Sequence, residues 1–316
     1  MMTMTTSPQV SVVMAVYNGE QTLADTLESI LTQQGVDFEC IVVNDGSTDL
    51  SRDILQHYSE KDTRLRVIEQ DNQGLTRSLI RGCAEARGEF IARQDAGDVS
   101  LPGRIQKQSN FLHSHADFCM VSCGTRMVGL QGEELQIVQQ TEEDAEQGLH
   151  RLALAEICGP SHHGSVMFRR NLYNRVGGYR FQFAVAQDLD LWIRLAEHGR
   201  HWAVQEVLYQ AALTPGSISM VNRDQQLVSA QFIIEAARLR RAGKSEQQIL
   251  DNAVAFSARE ANTRKQGNVA NGYYFLGCCL LRRDPVAARS YFQSARQADP
   301  LHFKAWFRLL QTWFSA

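Results

Sequence analysis

Residues 10–16 form a largely apolar, β-branched run, too short for a helix, and predict a buried strand. Tyr17-Asn18-Gly19 supplies the turn that follows. Asn18 stands three residues before Gln21, the spacing of a capping box. Leu23, Leu27, Ile30 and Leu31 then repeat at helical intervals, so a helix is expected to run to Gln34, with Gly35 at its C-terminal stop. The alternation continues with a strand over 40–44 and a helix from Asp49, as N-cap, to about Tyr58. A third strand is expected over 65–69, a helix over 75–86 closed by Gly88, and a fourth strand over 89–93. Strands and helices alternating at this spacing specify an α/β fold with a doubly wound, mostly parallel sheet and right-handed crossovers.

Beyond Asp98 the texture changes. Pro102 suits the first turn of a helix reaching Phe111 and Leu112, and strands are expected over 120–125 and 165–168. The acidic stretch 133–146 between them reads as a mobile or strand-poor excursion. Gly177-Gly178-Tyr179 is a loop, 188–198 a helix and 202–209 the last strand. From Gln225 onward the pattern is helical, with a polar, glycine-containing gap near 263–271. Two regions are therefore expected, an α/β domain over 1–222 and an all-helical C-terminal region over 223–316. Within the second, Tyr273-Tyr274-Phe275-Leu276-Gly277, Ala287-Ala288-Arg289-Ser290-Tyr291-Phe292, Ala295 and Pro300 resemble one tetratricopeptide helix pair near 271–310. A single pair cannot bury both faces, so it should pack on neighbouring helices or on a second subunit, making a homodimer through this region an expectation.

Composition narrows the class. Apolar residues make up 44% and charged residues 21% of the 316, as in ordinary globular proteins. No run approaches the roughly 20 apolar residues that span a bilayer, and residues 1–9 lack the apolar core of a signal peptide. The expected location is the cytoplasm, and seven cysteines without a Cys-x-x-Cys pair agree with a reducing compartment. Net charge is -3 but uneven: basic residues outnumber acidic ones from Gln225 onward, and the reverse holds before it. No nucleic-acid partner is expected. Arg238, Arg240, Arg241 and Lys244 could meet anionic lipid at the inner membrane surface, or form a solvated face or a dimer contact.

Two strand ends deliver acidic groups into small-residue turns: Asn44-Asp45-Gly46 and Asp95-Ala96-Gly97-Asp98. In open α/β sheets ligands bind beyond the carboxyl ends of the strands. Asp45 can accept the N3–H of a uracil ring, or bond its own turn. Asp95 and Asp98 can ligate a hard cation, Mg²⁺ or Mn²⁺, that bridges a diphosphate, or can simply favour the next helix N-terminus. Asp188 opens a helix and suits either a general base or an N-cap. His162-His163-Gly164 can place an imidazole near phosphates or acceptor; a zinc site built from these with His113 and His115 lacks ligand spacing and Cys partners. The first half has neither a Gly-x-Gly-x-x-Gly loop nor a Walker loop.

The order of the pieces says more than any one of them. Residues 12–18 (Val-Val-Met-Ala-Val-Tyr-Asn), 43–49 (Val-Asn-Asp-Gly-Ser-Thr-Asp) and Asn72-Gln73-Gly74 come first. Ala86-Arg87-Gly88-Glu89-Phe90-Ile91-Ala92, Asp95-Ala96-Gly97-Asp98, Gly177-Gly178-Tyr179 and Asp188-Leu189-Asp190-Leu191-Trp192 follow. Together they resemble the family 2 glycosyltransferases of GT-A fold, over about residues 7–220. The resemblance implies an inverting transferase that uses a divalent metal and a nucleoside-diphosphate sugar, UDP being the expected carrier. The acceptor would be a hydroxyl of a glycan or lipid-linked molecule, as in polysaccharide biosynthesis. It implies Asp188 as catalytic base and Asp95 and Asp98 as metal ligands. Donor and acceptor contacts would come from Ala15, Tyr17, Asn18, Asp45, Asn72, Gly74, Arg77, Asp95, His163, Gly178, Tyr179 and Gln187. Four positions depart from the family pattern: Ala15 replaces a common Pro, Gly97 the third Asp of the metal motif, Gln187 a Glu before the base, and Thr214 a frequent His. Gly97 and Gln187 motivate a rival reading, a catalytically degenerate GT-A protein that binds or scaffolds through its helical tail. A nucleotidyltransferase is the second rival, but 16–20 contain no Lys or Arg for a phosphate loop.

Overall fold

The computed structural model describes residues 7–216, 223–263 and 269–314. Its centre is β1 (Val10–Val16), every residue of which is buried. Period-two alternation splits this strand between two apolar layers. Val10, Val12, Met14 and Val16 face Leu23, Leu27 and Ile30 of α1 (Leu23–Leu31) and Leu55 of α2 (Ser51–Lys61). Val13 and Ala15 face Leu79 and Cys83 of α3 (Leu75–Ala84). Parallel ladders join β1 to β2 (Phe38–Asp45) and β4 (Phe90–Arg93), and β2 to β3 (Leu65–Gln70).

The first four strands lie where the hydrophobic pattern puts them, to within two residues, and the sheet runs on past β4. The remaining strands are β5 (Val99–Ser100), β6 (Phe118–Val128), β7 (Glu134–Val138), β8 (Met167–Arg169) and β9 (Arg200–Ala212). The nine-stranded sheet has the order β3-β2-β1-β4-β8-β6-β9-β5, with β7 paired to β6. The long ladders, including β6 with β9, are parallel; short antiparallel ones place β8 between β4 and β6. The helices α4 (Arg104–Ser114), α5 (Glu142–Gln147), α6 (Arg170–Arg175) and α7 (Gln187–Ala196) complete the α/β part.

Local expectations fail where long-range contacts compete. Asn18 does not cap α1, whose N-cap is Thr22; Asn18 sits at φ 51° and its Oδ1 accepts the Thr48 N–H at 2.8 Å. Pro102 precedes α4 rather than opening it, because Gly103 in a left-handed conformation is the N-cap. The acidic stretch 133–146 is not strand-poor: it forms β7 and α5, and Thr141 caps α5 by accepting from Asp144 N.

The C-terminal helices are α8 (Arg223–Arg241), α9 (Gln247–Thr263), α10 (Val269–Leu280), α11 (Pro285–Ala298) and α12 (Phe303–Phe314). Ile233 and Ala237 of α8 and Leu250 and Ala253 of α9 join the apolar layer of α7. The basic cluster on α8 is largely occupied within the chain. Arg240 binds Glu197 at 2.6 and 2.8 Å, Arg241 donates to the carbonyls of Leu149 and His150, and Arg238 to that of Leu152. The tetratricopeptide-like pair α10–α11 packs closely, since a Cβ on Gly277 would meet the Phe292 ring at 2.6 Å. Its other face rests on the sheet, with Leu276, Leu280, Tyr291 and Phe292 clustering with Met127, Leu135, Leu208 and Tyr209. Tyr291 also donates to Glu133 and accepts from Leu130 N, which ties the acidic stretch to the helices. Ser217, Ile218 and Ser219, the 222/223 division and residues 264–268 of the polar gap lie outside the described residues.

At the strands' N-terminal edge, buried Glu39 accepts from Ser11 Oγ, Arg66, Arg87 N and the Arg87 guanidinium. Burial opposes its charge, but the Arg87, Ser11 and Arg66 bonds outweigh it and hold the carboxyl below the ordinary glutamate range. A depressed folded-state pKa gives stability that is present above the unfolded value and lost as pH falls through the folded one. Glu39→Ala is expected to lower unfolding free energy by about 1–3 kcal/mol at neutral pH, less in acid, in denaturant titrations at both pH values.

Candidate functional site

The C-terminal ends of β1, β2 and β4 lie side by side at one edge of the sheet. Val13 pairs with Ile41 and Arg93, so Asp45 and Asp95 leave the sheet on strands that flank β1. Two strand spacings separate β2 from β4, about 10 Å. After Arg93 the chain turns through Gln94–Asp98. Gly97, at φ 97°, occupies backbone space that disfavours a side chain, and its N–H donates to Thr26 Oγ1 at 3.0 Å. Thr26 Oγ1 in turn donates to the Asp98 carbonyl at 2.9 Å. This fold-back sets Asp98 beside Asp95, so the glycine standing in the metal motif shapes the turn that presents the next aspartate.

Three elements converge on the pair. Asp98 Oδ2 accepts from the Tyr209 hydroxyl and Oδ1 from Ala212 N, both at 2.9 Å and both from β9. Asp95 Oδ1 is paired with the buried Arg93 guanidinium. The Oδ2 atoms of Asp95 and Asp98 face His162 Nδ1 at 3.7 and 3.5 Å. His162 stacks on Tyr209, with ring centroids 5.4 Å apart, and its Nδ1 accepts from Gly164 N at 3.2 Å, a long bond that ligation by this nitrogen would replace. Gly164 is needed there, because a Cβ would lie 1.8 Å from the Tyr209 hydroxyl oxygen.

Burial pushes Asp98 up to about 6, His162 opposing and the Asp95 charge reinforcing the shift. Asp95 is half-buried, and Arg93, His163 and His162 outweigh its desolvation and hold it below the ordinary aspartate range. Ligating atoms of Asp95, Asp98 and His162 lie within 4.8 Å of one another. Two carboxylates and an imidazole are a donor set that Mn²⁺ and similar divalent ions accept. The residues present therefore fit a divalent metal.

Asp188 lies in the first turn of α7, half-buried, its Oδ1 accepting from Leu189 N at 2.9 Å. Burial raises its carboxyl above the ordinary aspartate range, the Leu189 and Asp188 N–H bonds oppose that shift, and the Asp95 charge adds to it. Ala186, just before α7, is held at φ 57°, a strained setting for a residue with a Cβ. Asp190, by contrast, is consumed in a buried pair with Arg194.

The other expected residues divide. Asp45 is buried and accepts from Gln70 Nε2 at 2.6 Å, Gln73 N at 2.9 Å and Gly74 N at 2.8 Å, so it secures the start of α3 and keeps few lone pairs for a ligand. Gly46 lets the loop approach, since a Cβ would meet Asn72 N at 2.7 Å. Tyr17 is half exposed beside buried Ala15 at the end of β1. Asn72, Gly74 and Arg77 are exposed, and the Arg77 guanidinium lies 5.1 Å from the exposed Phe181 ring. His163 is buried, bonded to the Tyr179 hydroxyl at 2.7 Å and packed against Trp192. Burial first, then Arg93, keeps its imidazole well below the usual histidine range. Of the adjacent histidines it is His162, not His163, that meets the acidic pair. Gly178, at φ 65°, and Gln187, buried at the start of α7, shape the loop and helix beside Asp188.

Sequence reasoning missed His162 as the inward member of its pair, and also Arg93 and Tyr209. Only the order of β8, β6 and β9 in the sheet brings these groups together, and no short spacing encodes that.

A sequence model described as Glycosyl transferase family 2 matches residues 11–177. "Putative glycosyltransferase EpsE" of Bacillus subtilis is 35% identical over 246 residues, 74% of this chain and 84% of that protein. "O-antigen biosynthesis glycosyltransferase WbnJ" of Escherichia coli is 28% identical over 59% of this chain and 71% of its own length. Among solved structures, Staphylococcus aureus TarS 1-349 in complex with UDP aligns with a TM-score of 0.57 at 18% identity, covering 96% of this chain and 90% of that one. Mannosyltransferase PcManGT from Pyrobaculum calidifontis, in complex with GDP-Man and Mn²⁺, aligns with a TM-score of 0.54 at 18% identity, covering 97% and 88%. At such identity the structural likeness concerns the fold, a GT-A-type sheet followed by helices.

His162→Ala is expected to weaken Mn²⁺ binding about tenfold or more by isothermal titration, and Asp98→Asn to weaken it further. Unchanged affinity in both variants would place the cation elsewhere.

Proposed function

The chain belongs to glycosyl transferase family 2, and on that premise we propose that it is an inverting transferase moving a sugar from a UDP-linked donor to a hydroxyl of a glycan or lipid-linked acceptor. The observation that carries this reading is the Asp95–Asp98–His162 cluster, only Asp98 of which is fully buried, together with Asp188, a half-buried carboxylate of raised pKa at the start of α7. The UDP complex of the TarS neighbour supports the carrier, and the O-antigen relative supports a glycan product.

Each residue then has a task. The half-exposed Tyr17 ring gives the base a face beside Ala15, and Asp45 offers its remaining lone pair to the uracil N3–H. Asn72 and Gly74, both exposed, would line that side, and the exposed Arg77 would meet the phosphates. Asp95, Asp98 and His162 would hold a divalent cation, Mg²⁺ or Mn²⁺, whose charge offsets that of the departing diphosphate. Asp188 accepts the proton of the acceptor hydroxyl while its oxygen forms the bond to the anomeric carbon. The diphosphate leaves from the opposite face, so configuration inverts. A base must be ionised to act, and burial sets this one above ordinary aspartate, so transfer falls away on the acid side at a higher pH than an exposed aspartate would give. The degenerate-scaffold alternative loses its strongest motive at Gly97, whose place in the turn leaves the two-carboxylate, one-imidazole cluster complete.

Asp188→Asn is expected to leave UDP affinity near wild type and cut transfer by about 10²–10⁴-fold, measured by calorimetry and by donor turnover. Lost UDP binding with normal turnover of the bound fraction would contradict the base assignment. Wild type that binds UDP with Mn²⁺ but never hydrolyses or transfers any UDP-sugar would favour the scaffold.

A further inference from the structure

Helix α12 is apolar on both sides. His302, Ala305, Leu309 and Thr312 are buried toward the neighbouring helices. On the opposite face Phe303, Trp306, Phe307 and Leu310, at i, i+3, i+4 and i+7, stand 43–77% exposed, and Leu301 extends the stripe at 72%. A helix that is hydrophobic all round ordinarily has a partner on each side. Large exposed apolar patches of this kind mark interaction surfaces.

The charges around the stripe indicate what covers it. Residues 300–316 contain exposed Lys304 and half-buried Arg308, which donates to Gln311 at 2.8 Å, and no Asp or Glu; Asp299, just before them, accepts from Leu301 N at 3.0 Å. Arg296 stacks its guanidinium 3.3 Å from the centre of the Trp306 ring, keeping another cation beside the aromatic face. A second copy on this face would bring another Lys304 and Arg308 to the contact and no acid from the helix to meet them. An anionic lipid surface instead takes both features, Trp, Phe and Leu entering the headgroup boundary while cations meet the phosphates. Among the described residues no helix is long and apolar enough to cross a membrane, so the contact would be lateral.

We infer that the exposed aromatic face of α12 docks the protein on an anionic membrane surface. The site is mechanically linked to this face. Leu309 belongs to the same apolar cluster as Leu276 and Phe292, and that cluster includes Tyr209, the residue that holds Asp98. Gly272 of α10 abuts Pro215, where a Cβ would lie 2.5 Å from the Pro215 carbonyl oxygen, just past the end of β9. Docking would hold the protein at a surface where a lipid-carried acceptor is found, a purpose that rests on the transferase reading, whereas docking itself does not.

The test is co-sedimentation of the full chain with vesicles of phosphatidylcholine alone or mixed with phosphatidylglycerol. Wild type is expected to sediment with the mixed vesicles and much less with phosphatidylcholine. The Phe303→Ser/Phe307→Ser/Leu310→Ser variant should lose that binding by about tenfold or more, and Lys304→Glu should weaken it and its salt sensitivity. Both variants should keep wild-type helicity by circular dichroism and wild-type UDP affinity. Equal sedimentation of wild type and the triple variant, or none by wild type, would overturn the inference. So would a wild-type dimer by light scattering that the triple variant converts to monomer without any vesicle binding, which assigns the face to a second copy. Vesicle binding in a protein that fails to bind UDP would count against the transferase reading alone.

Discussion

Two closely set carboxylates, Asp98 buried and Asp95 half-buried, set the terms for everything around them. Ligating atoms of Asp95 and Asp98 lie within 4.8 Å of one another, and the Arg93 guanidinium is spent on Asp95. At that separation and an effective dielectric of about 20, the repulsion is about 3–4 kcal/mol. The fold tolerates it by fixing Asp98 from β9 and by closing the turn at Gly97 onto Thr26. What the protein leaves undone is a positive charge at the His162 edge. On the proposed function a cation brought with a diphosphate would supply it, which makes relief of that repulsion a part of donor binding.

The α/β core was legible because each strand is short, apolar and bracketed by turn residues, so β1 to β4 could be placed from pattern alone. Asp95, Asp98 and Asp188 were legible for the same reason, since they sit where strands end or a helix begins. Tyr209 was not, because it lies inside a strand whose pairing with β5 and β6 is set by topology. His162 and His163 are chemically the same in the sequence. The 3₁₀ turn over His163–Ser165 decides which ring faces the cluster and which is buried against Tyr179. Asn18 had the spacing of a cap but found a stronger partner thirty residues on, at Thr48. The acidic stretch 133–146 looked unstructured because what orders it, Tyr291 and the β6 edge, is distant in the chain.

The helical region is continuous with the transferase core in a physical sense. Arg240 and Arg241, which resemble a surface basic patch in sequence, fasten α8 to Glu197 and to the carbonyls of residues 149 and 150. The α10–α11 pair covers the outer part of the sheet that carries Tyr209. One helix pair can therefore be stable here without a second repeat, because the sheet takes the place of its neighbour.

The central claim is that Asp95, Asp98 and His162 form one cation site at the mouth of a nucleotide crevice. An anomalous-difference map from crystals grown with Mn²⁺ and UDP tests it most directly. The account expects one strong peak about 2.0–2.3 Å from carboxylate oxygens of both aspartates and from the His162 ring, contiguous with diphosphate density. Bound UDP with no peak at this cluster, or a peak ligated by other residues, would contradict it.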